Sequence, residues 1–250
     1  MRLWCHEITR VFGDRLINNQ DAMWLIETVK ECTRADLGQQ FDSLCRHLDT
    51  DKNGKVETLD EYRGLLFGDI FTPYGVPDRP YQEIMDKNKL NEAAEKILKE
   101  YNRYSEVPMN LVLFSFAIEH LLRIGRILKQ PGGHAMLIGV GGSGRQSLTK
   151  LASKTAEIET YQIEIKKTYG MNEFREDIKK LMRIVGVKGK MTSFIVTDNS
   201  IKEESFLEDI NNILNTGEVP NIFNVEERAE VMDALRPVAK DQDRCPDGSP

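Results

Sequence analysis

The sequence predicts an α/β fold, a helical region followed by a three-stranded parallel sheet, and three observations predict it. Apolar residues recur at helical spacing through the first hundred residues. After Pro108 short apolar strands alternate with amphipathic helices, the pattern of parallel strands joined by right-handed crossovers. Between the first of those strands and its helix lies a glycine-rich segment that begins at Gly139 and ends at Ser147.

The helical region is read from its stripes. Leu3, Trp4, Ile8, Val11, Phe12 and Leu16 mark one helix, and Met23, Ile26 and Val29 a second. Phe41, Leu44 and Leu48 form a third stripe, and Tyr62, Leu65 and Leu66 a shorter fourth. A break bearing Pro and Gly at residues 71–80 precedes a further helix marked by Leu90, Ala94, Ile97, Leu98 and Tyr101. Residues 113–128 read as a strong amphipathic helix stopped by Pro131-Gly132-Gly133. Strands are expected at 135–139, 161–165 and 193–197, with helices beginning near Arg145, Asn172 and Glu203. From Asp241 the chain turns polar, with Pro246, Gly248 and Pro250, and a disordered tail is expected over 241–250.

Composition excludes several classes. A net charge of −6 gives no electrostatic case for nucleic acid or an anionic membrane as partner. No apolar run approaches the roughly 20 residues that cross a bilayer, and no secretory leader is visible. Cys5, Cys32, Cys45 and Cys245 show no CxxC pairing, which argues against a zinc site or disulfide scaffold and suits the reducing cytoplasm. His6, His47, His120 and His134 have no ligand spacing among them and read as packing or surface residues.

The glycine segment reads Gly139-Val140-Gly141-Gly142-Ser143-Gly144-Arg145-Gln146-Ser147. Glycines let the backbone fold into a nest of inward N–H groups, and the following helix adds the positive end of its dipole. Its spacing matches the phosphate loop GxxxxGK[ST]. Two positions depart from that pattern. Arg145 stands where a lysine normally reaches the phosphates, and a planar guanidinium is no substitute for a compact ammonium. Gln146 takes the hydroxyl position that coordinates Mg²⁺, with Ser147 one residue later. Phosphate binding is expected from Gly139, Gly141, Gly142, Ser143, Gly144, Arg145, Gln146 and Ser147.

An apolar strand ending in a metal-side aspartate should accompany such a loop. Phe194-Ile195-Val196-Thr197-Asp198 fits, and Asp198 is expected to hold Mg²⁺ through the nucleotide. The next residue is Asn199, which cannot accept a proton at neutral pH, so no catalytic residue is assigned. Glu203 and Glu204 lie further on and suit a helix's first turn. The site is expected to hold a nucleotide more readily than to cleave it.

A second loop resembles a calcium loop. Asp49, Asp51 and Asn53 fill its first ligand positions, with Gly54 at the turn and Val56 apolar. The closing position falls on Asp60, a methylene shorter than the usual bidentate Glu, and Glu61 is one residue out of register. A polar helix–helix connection is the preferred reading over a calcium site.

The stretch GHAMLIGVGGSGRQSLTKLAS (133–153) resembles the phosphate-loop region of the fourth AAA+ module of axonemal dynein heavy chains. YQIEIKKTYG (161–170) and FIVTDNSIKEESFLEDINNILNTGEVPNIF (194–223) are similar to the rest of that module. RLWCHEITRVFGDRL (2–16) and LLFGDIF (65–71) resemble the helical lid of the third module. The resemblance covers nearly the whole chain, with a flavour nearest the inner-arm type.

It implies a helical AAA+ lid with connector over 1–107 and a partial AAA+ nucleotide-binding core over 108–240, with three of the module's five strands. It further implies ATP or ADP with Mg²⁺ as ligand, in a regulatory rather than principal hydrolytic module of an ATPase motor. Neighbouring AAA+ modules of the same heavy chain and dynein intermediate and light chains are the implied partners, with microtubules reached only through parts outside this sequence. The implied place is the cytoskeleton of a ciliary or flagellar axoneme. In that family a further strand separates the phosphate-loop strand from the acidic strand, so Asp198 would face the loop across a gap of about 5 Å on each side. The isolated chain is therefore expected to bind nucleotide weakly. A free-standing P-loop ATPase, or a calcium-responsive helical module with a vestigial nucleotide site, are the alternatives.

Overall fold

The computed structural model describes residues 1–241, and the chain divides into two compact units at Leu122/Arg123. Each unit carries its own core.

The first unit is mainly helical. Helix α1 (Arg2–Val11) is followed by α2 (Asn19–Ala35), whose first turn is capped where Asn18 Oδ1 accepts from the Asp21 N–H at 2.7 Å. Two single turns follow, α3 (Phe41–Leu44) and α4 (Leu59–Tyr62), and then the long α5 (Lys87–Tyr104). Asp86 caps α5 by accepting from the N–H groups of Asn88 and Lys89, and Leu90, Ala94 and Ile97 turn its stripe inward. Ile26, Val29, Phe41, Cys45, Leu48, Val56 and Tyr62 close one core, in which the Phe41 and Tyr62 rings stack 5.5 Å apart. His6 is buried there as a packing residue: its Nδ1 lies 2.8 Å from the Leu65 carbonyl and its Nε2 3.0 Å from the Tyr81 hydroxyl. Helix α6 (Ser115–Leu128) begins two residues later than expected and runs across the division.

One element of this unit departs from the helical expectation. Strand β1 (Leu66–Gly68) pairs antiparallel with β2 (Gln82–Ile84), Leu66 opposite Ile84. Leu65 and Leu66 thus leave the helix that their stripe predicted, because α4 ends at Tyr62 and the buried run continues as strand.

In the second unit α7 (Arg145–Thr155), β3 (Glu159–Gln162), α8 (Met171–Gly186), β4 (Thr192–Ile195), α9 (Ser205–Thr216) and α10 (Val225–Asp241) follow in order. Strands β3 and β4 pair in parallel, with Tyr161 opposite Phe194 and Gln162 opposite Ile195, so α8 is the crossover. Phe174 and Phe206 are fully buried and stack at 4.3 Å, which joins α8 to α9. Arg175 clamps the same pair through Nε and Nη2 to Asp209, at 3.0 and 3.3 Å. Tyr161 and Tyr169 both donate to the Asp177 carboxylate, at 2.8 and 2.7 Å. Burial first, then the negative Asp177, raises both phenols well above their ordinary range.

Two of the three expected strands form, displaced by one to three residues. The third does not. Residues 135–139 carry no regular secondary structure and have no partner strand among the described residues, and Met136, Ile138 and Val140 are 80–88% exposed. Apolar patterning offers a strand, but a strand exists only where a neighbour takes its backbone bonds. Helix α10 answers no stripe singled out above. It is fixed at its start by Asn224 Oδ1 accepting from Glu227 N–H at 2.8 Å, and to α8 by Lys179–Glu227 at 3.0 Å. The tail expected from Asp241 lies, beyond that last helical residue, outside the described residues.

Candidate nucleotide loop and the acidic loop

The glycine segment makes the turn its sequence requires. Gly142 and Gly144 take φ of +76° and +75°, the left-handed region that side chains resist. Gly144 caps α7, whose first i→i−4 bond runs from Leu148 N–H to the Gly144 carbonyl at 2.8 Å. The N–H groups of Arg145, Gln146 and Ser147 precede that bond, and no acid sits in the first turn to claim them. A Cβ built on Gly141 or Gly142 meets nothing within 4 Å. This open, amide-lined turn at a helix's positive end suits a phosphate group.

The side chains are arranged less simply. Arg145 turns back on the loop, its Nη1 donating to the Leu137 carbonyl at 3.4 Å and its Nη2 to the Val140 carbonyl at 3.2 Å. Gln146 Oε1 accepts from Gln162 Nε2 at 3.3 Å, which ties the start of α7 to the carboxyl end of β3. Gln162 is a partner the motif did not announce. Asp198 and Asn199 are exposed in a single 3₁₀ turn three residues beyond Ile195, the end of β4. Asp198 therefore follows the carboxyl end of β4, and the Gln146–Gln162 bond brings the start of α7 to the carboxyl end of β3, the side of a parallel sheet where α/β folds form their ligand crevices. Among the described residues no hydrogen bond or ion pair joins Asp198 to the loop. Glu203 and Glu204 precede α9, with Glu203 accepting from the Ser205 hydroxyl at 3.4 Å.

The acidic loop of the first unit is built differently. Ligand oxygens of Asp49, Asp51 and Glu61 lie within 4.8 Å of one another. Asp60, assigned to the closing position by register, instead faces solvent with 92% of its side chain exposed, 3.5 Å from Arg63. Glu61 takes the inward place because Thr58 starts α4 with a reciprocal capping box that turns the third helical residue back on the cap. Thr58-x-x-Glu61 carried that signal in the sequence.

Glu61 is also fully engaged. One oxygen accepts from the N–H and hydroxyl of Thr50 at 3.1 and 3.2 Å. The other accepts from Glu57 N–H, Thr58 N–H and the Thr58 hydroxyl at 3.0, 3.1 and 3.0 Å. Burial works against the charge, but these bonds outweigh it and hold the carboxyl at about 2. Asp49 accepts from Asn53 and Gly54 N–H groups at 3.1 and 2.8 Å, and the net effect again lowers its carboxyl despite desolvation.

The sequence family described as P-loop containing dynein motor region D4 matches residues 109–248, more than half the chain and the whole glycine loop. The chain belongs to the dynein motor-region family. This dynein segment is 47% identical over 242 residues to human dynein axonemal heavy chain 3, a match covering 97% of the segment and 6% of that protein. With the mouse heavy chain 3 it shares 46% over 250 residues, all of the segment and 6% of the relative. With rat dynein axonemal heavy chain 1 it shares 40% over 242 residues, or 97% of the segment and 5% of the relative. The dynein segment thus spans about one-twentieth of the length of these relatives. No helix among its described residues is long and apolar enough to cross a membrane.

Proposed function

We propose that the chain is a nucleotide-binding, regulatory and structural segment of a dynein motor ring, working in microtubule-based movement of cilia or flagella. The observation that carries this reading is the open turn at Gly141 to Gly144 at the start of α7, inside the region matched as P-loop dynein motor region. Residues 1–107 act as the third module's lid and connector and residues 108–240 as part of the fourth module's core, in a heavy chain of inner-arm type. The D4 of the family's description supports the fourth-module assignment.

In this reading ATP or ADP is held by the backbone of Gly139, Gly141, Gly142, Ser143 and Gly144, with the first-turn N–H groups of Arg145, Gln146 and Ser147. When bound with its nucleotide, Mg²⁺ would neutralise phosphate charge, with Asp198 as its protein-side carboxylate. Asn199 offers no general base, so the segment holds nucleotide and does not cleave it efficiently. Adjacent AAA+ modules of the same heavy chain are its first partners, with intermediate and light chains beyond them, in the axoneme.

Calorimetric titration of the 250-residue chain with ATP and ADP, with and without Mg²⁺, tests this. Weak, saturable binding with hydrolysis no faster than background is expected. No binding of either nucleotide overturns the nucleotide reading. Hydrolysis abolished by Asp198→Ala overturns the holding role in favour of a free-standing ATPase.

A further inference from the structure

The phosphate loop carries one cation, Arg145, and its guanidinium is committed to the loop itself. Nη1 and Nη2 reach the Leu137 and Val140 carbonyls, one on each side of Gly139. The arginine stem lies back over Gly139: a Cβ built there would meet Ser143 Oγ at 3.4 Å, Arg145 Cδ at 3.6 Å and Arg145 Nε at 3.8 Å. Val140's carbonyl is a shared acceptor, since Ser143 N–H also donates to it at 3.4 Å.

Electrostatics explain the fold-back. Arg145 is the first residue of α7, and a cation at a helix N-terminus is repelled by the positive end of the dipole. Two carbonyl oxygens on the strand side of the loop offer partial negative charge away from that end. The planar fork of arginine reaches the two through separate nitrogens, whereas an ammonium concentrates its donors at a single point. The first-turn N–H groups of α7 are meanwhile left facing the open turn.

We propose that Arg145 is a positioning residue and not a phosphate ligand: its guanidinium staples the entry of the glycine loop, and the anion is received by backbone N–H groups alone. This rests on the nucleotide reading above. It inverts the expectation that Arg145 serves as a longer version of the phosphate lysine.

The test uses the whole chain and its Arg145→Ala and Arg145→Lys variants. Without nucleotide, ¹⁵N relaxation is measured at the Gly141, Gly142 and Ser143 amides. Both variants are expected to show lower order parameters there, lysine giving little rescue because its donors share one nitrogen in place of arginine's two-pronged fork. Titration with fluorescent ADP and ATP should then show both affinities falling by the same factor, about three- to tenfold for two modest hydrogen bonds. Unchanged loop order in Arg145→Ala overturns the proposal whatever the titration gives. A loss confined to ATP, or full rescue by lysine, also overturns it and makes Arg145 a phosphate ligand. If loop order falls as expected but no form binds either nucleotide, the staple stands and the nucleotide reading falls.

Discussion

The acidic loop around Asp49 and Glu61 and the glycine loop around Gly142 are both ion-binding patterns in sequence, yet the fold has treated them in opposite ways. In the acidic loop the oxygens that a cation would need already accept hydrogen bonds, five of them at Glu61 alone. At the glycine loop the donors that an anion would need lie before the first helical bond and face an open turn. A motif states which atoms are present. Whether those atoms are already engaged is a property of the fold, and here it separates a structural knot from a receptive site.

The comparison breaks most visibly at Glu61. Glu61→Ala should lower the melting midpoint by roughly 5–10 °C, because five donors lose their acceptor together. Thermal denaturation followed by circular dichroism reads this directly, and an unchanged midpoint would show that the knot contributes nothing.

A second effect concerns acid. The Glu61 carboxyl sits at about 2 when folded, below its ordinary value near 4.5, so its contribution is complete above pH 4.5 and fades as pH falls toward 2. Urea midpoints at pH 6 and pH 3 should therefore differ more in the wild type than in Glu61→Gln, while Asp49 keeps its own smaller acid dependence.

Gly142→Ala sharpens the other side of the comparison. A methyl group at φ +76° costs about 1–2 kcal/mol, and the exposed turn escapes it by changing shape. Nucleotide affinity should fall about fivefold or more while the melting midpoint barely moves, so binding and stability part company. A large stability loss with binding intact would reverse the assignment of the two loops.

The smallest expected effect is at calcium. Micromolar calcium should produce no saturable change in tryptophan fluorescence from Trp4 and Trp24, since binding would require Glu61 to release Thr50, Glu57 and Thr58. Saturation in that range would make the acidic loop a site after all.

Much of this architecture was legible in the residues, and the failures share a cause. Helix α5 announces itself by its stripe, α7 and α8 by their alternation with short strands, and the glycine loop by spacing, because those signals are local. The β1–β2 hairpin was invisible since three-residue strands carry no measurable period. Asp60 was given the closing place by counting, whereas a capping box at Thr58 decides the register. Helix α10 was missed because its stripe is weak and Pro237 lies inside it, while its anchoring comes from charges on α8. The strand expected at 135–139 does not form, because its apolar pattern is local whereas pairing depends on a neighbour that no local pattern supplies.

That bare segment has a practical consequence. Met136, Ile138 and Val140 stand in solvent on a segment that no strand pairs with among the described residues. Such an unpaired apolar segment is a template on which a second molecule can crystallise its own backbone, strand upon strand. The shelf life of the purified chain will therefore be set by how crowded the solution is, and a single charge in place of Ile138 should lengthen it.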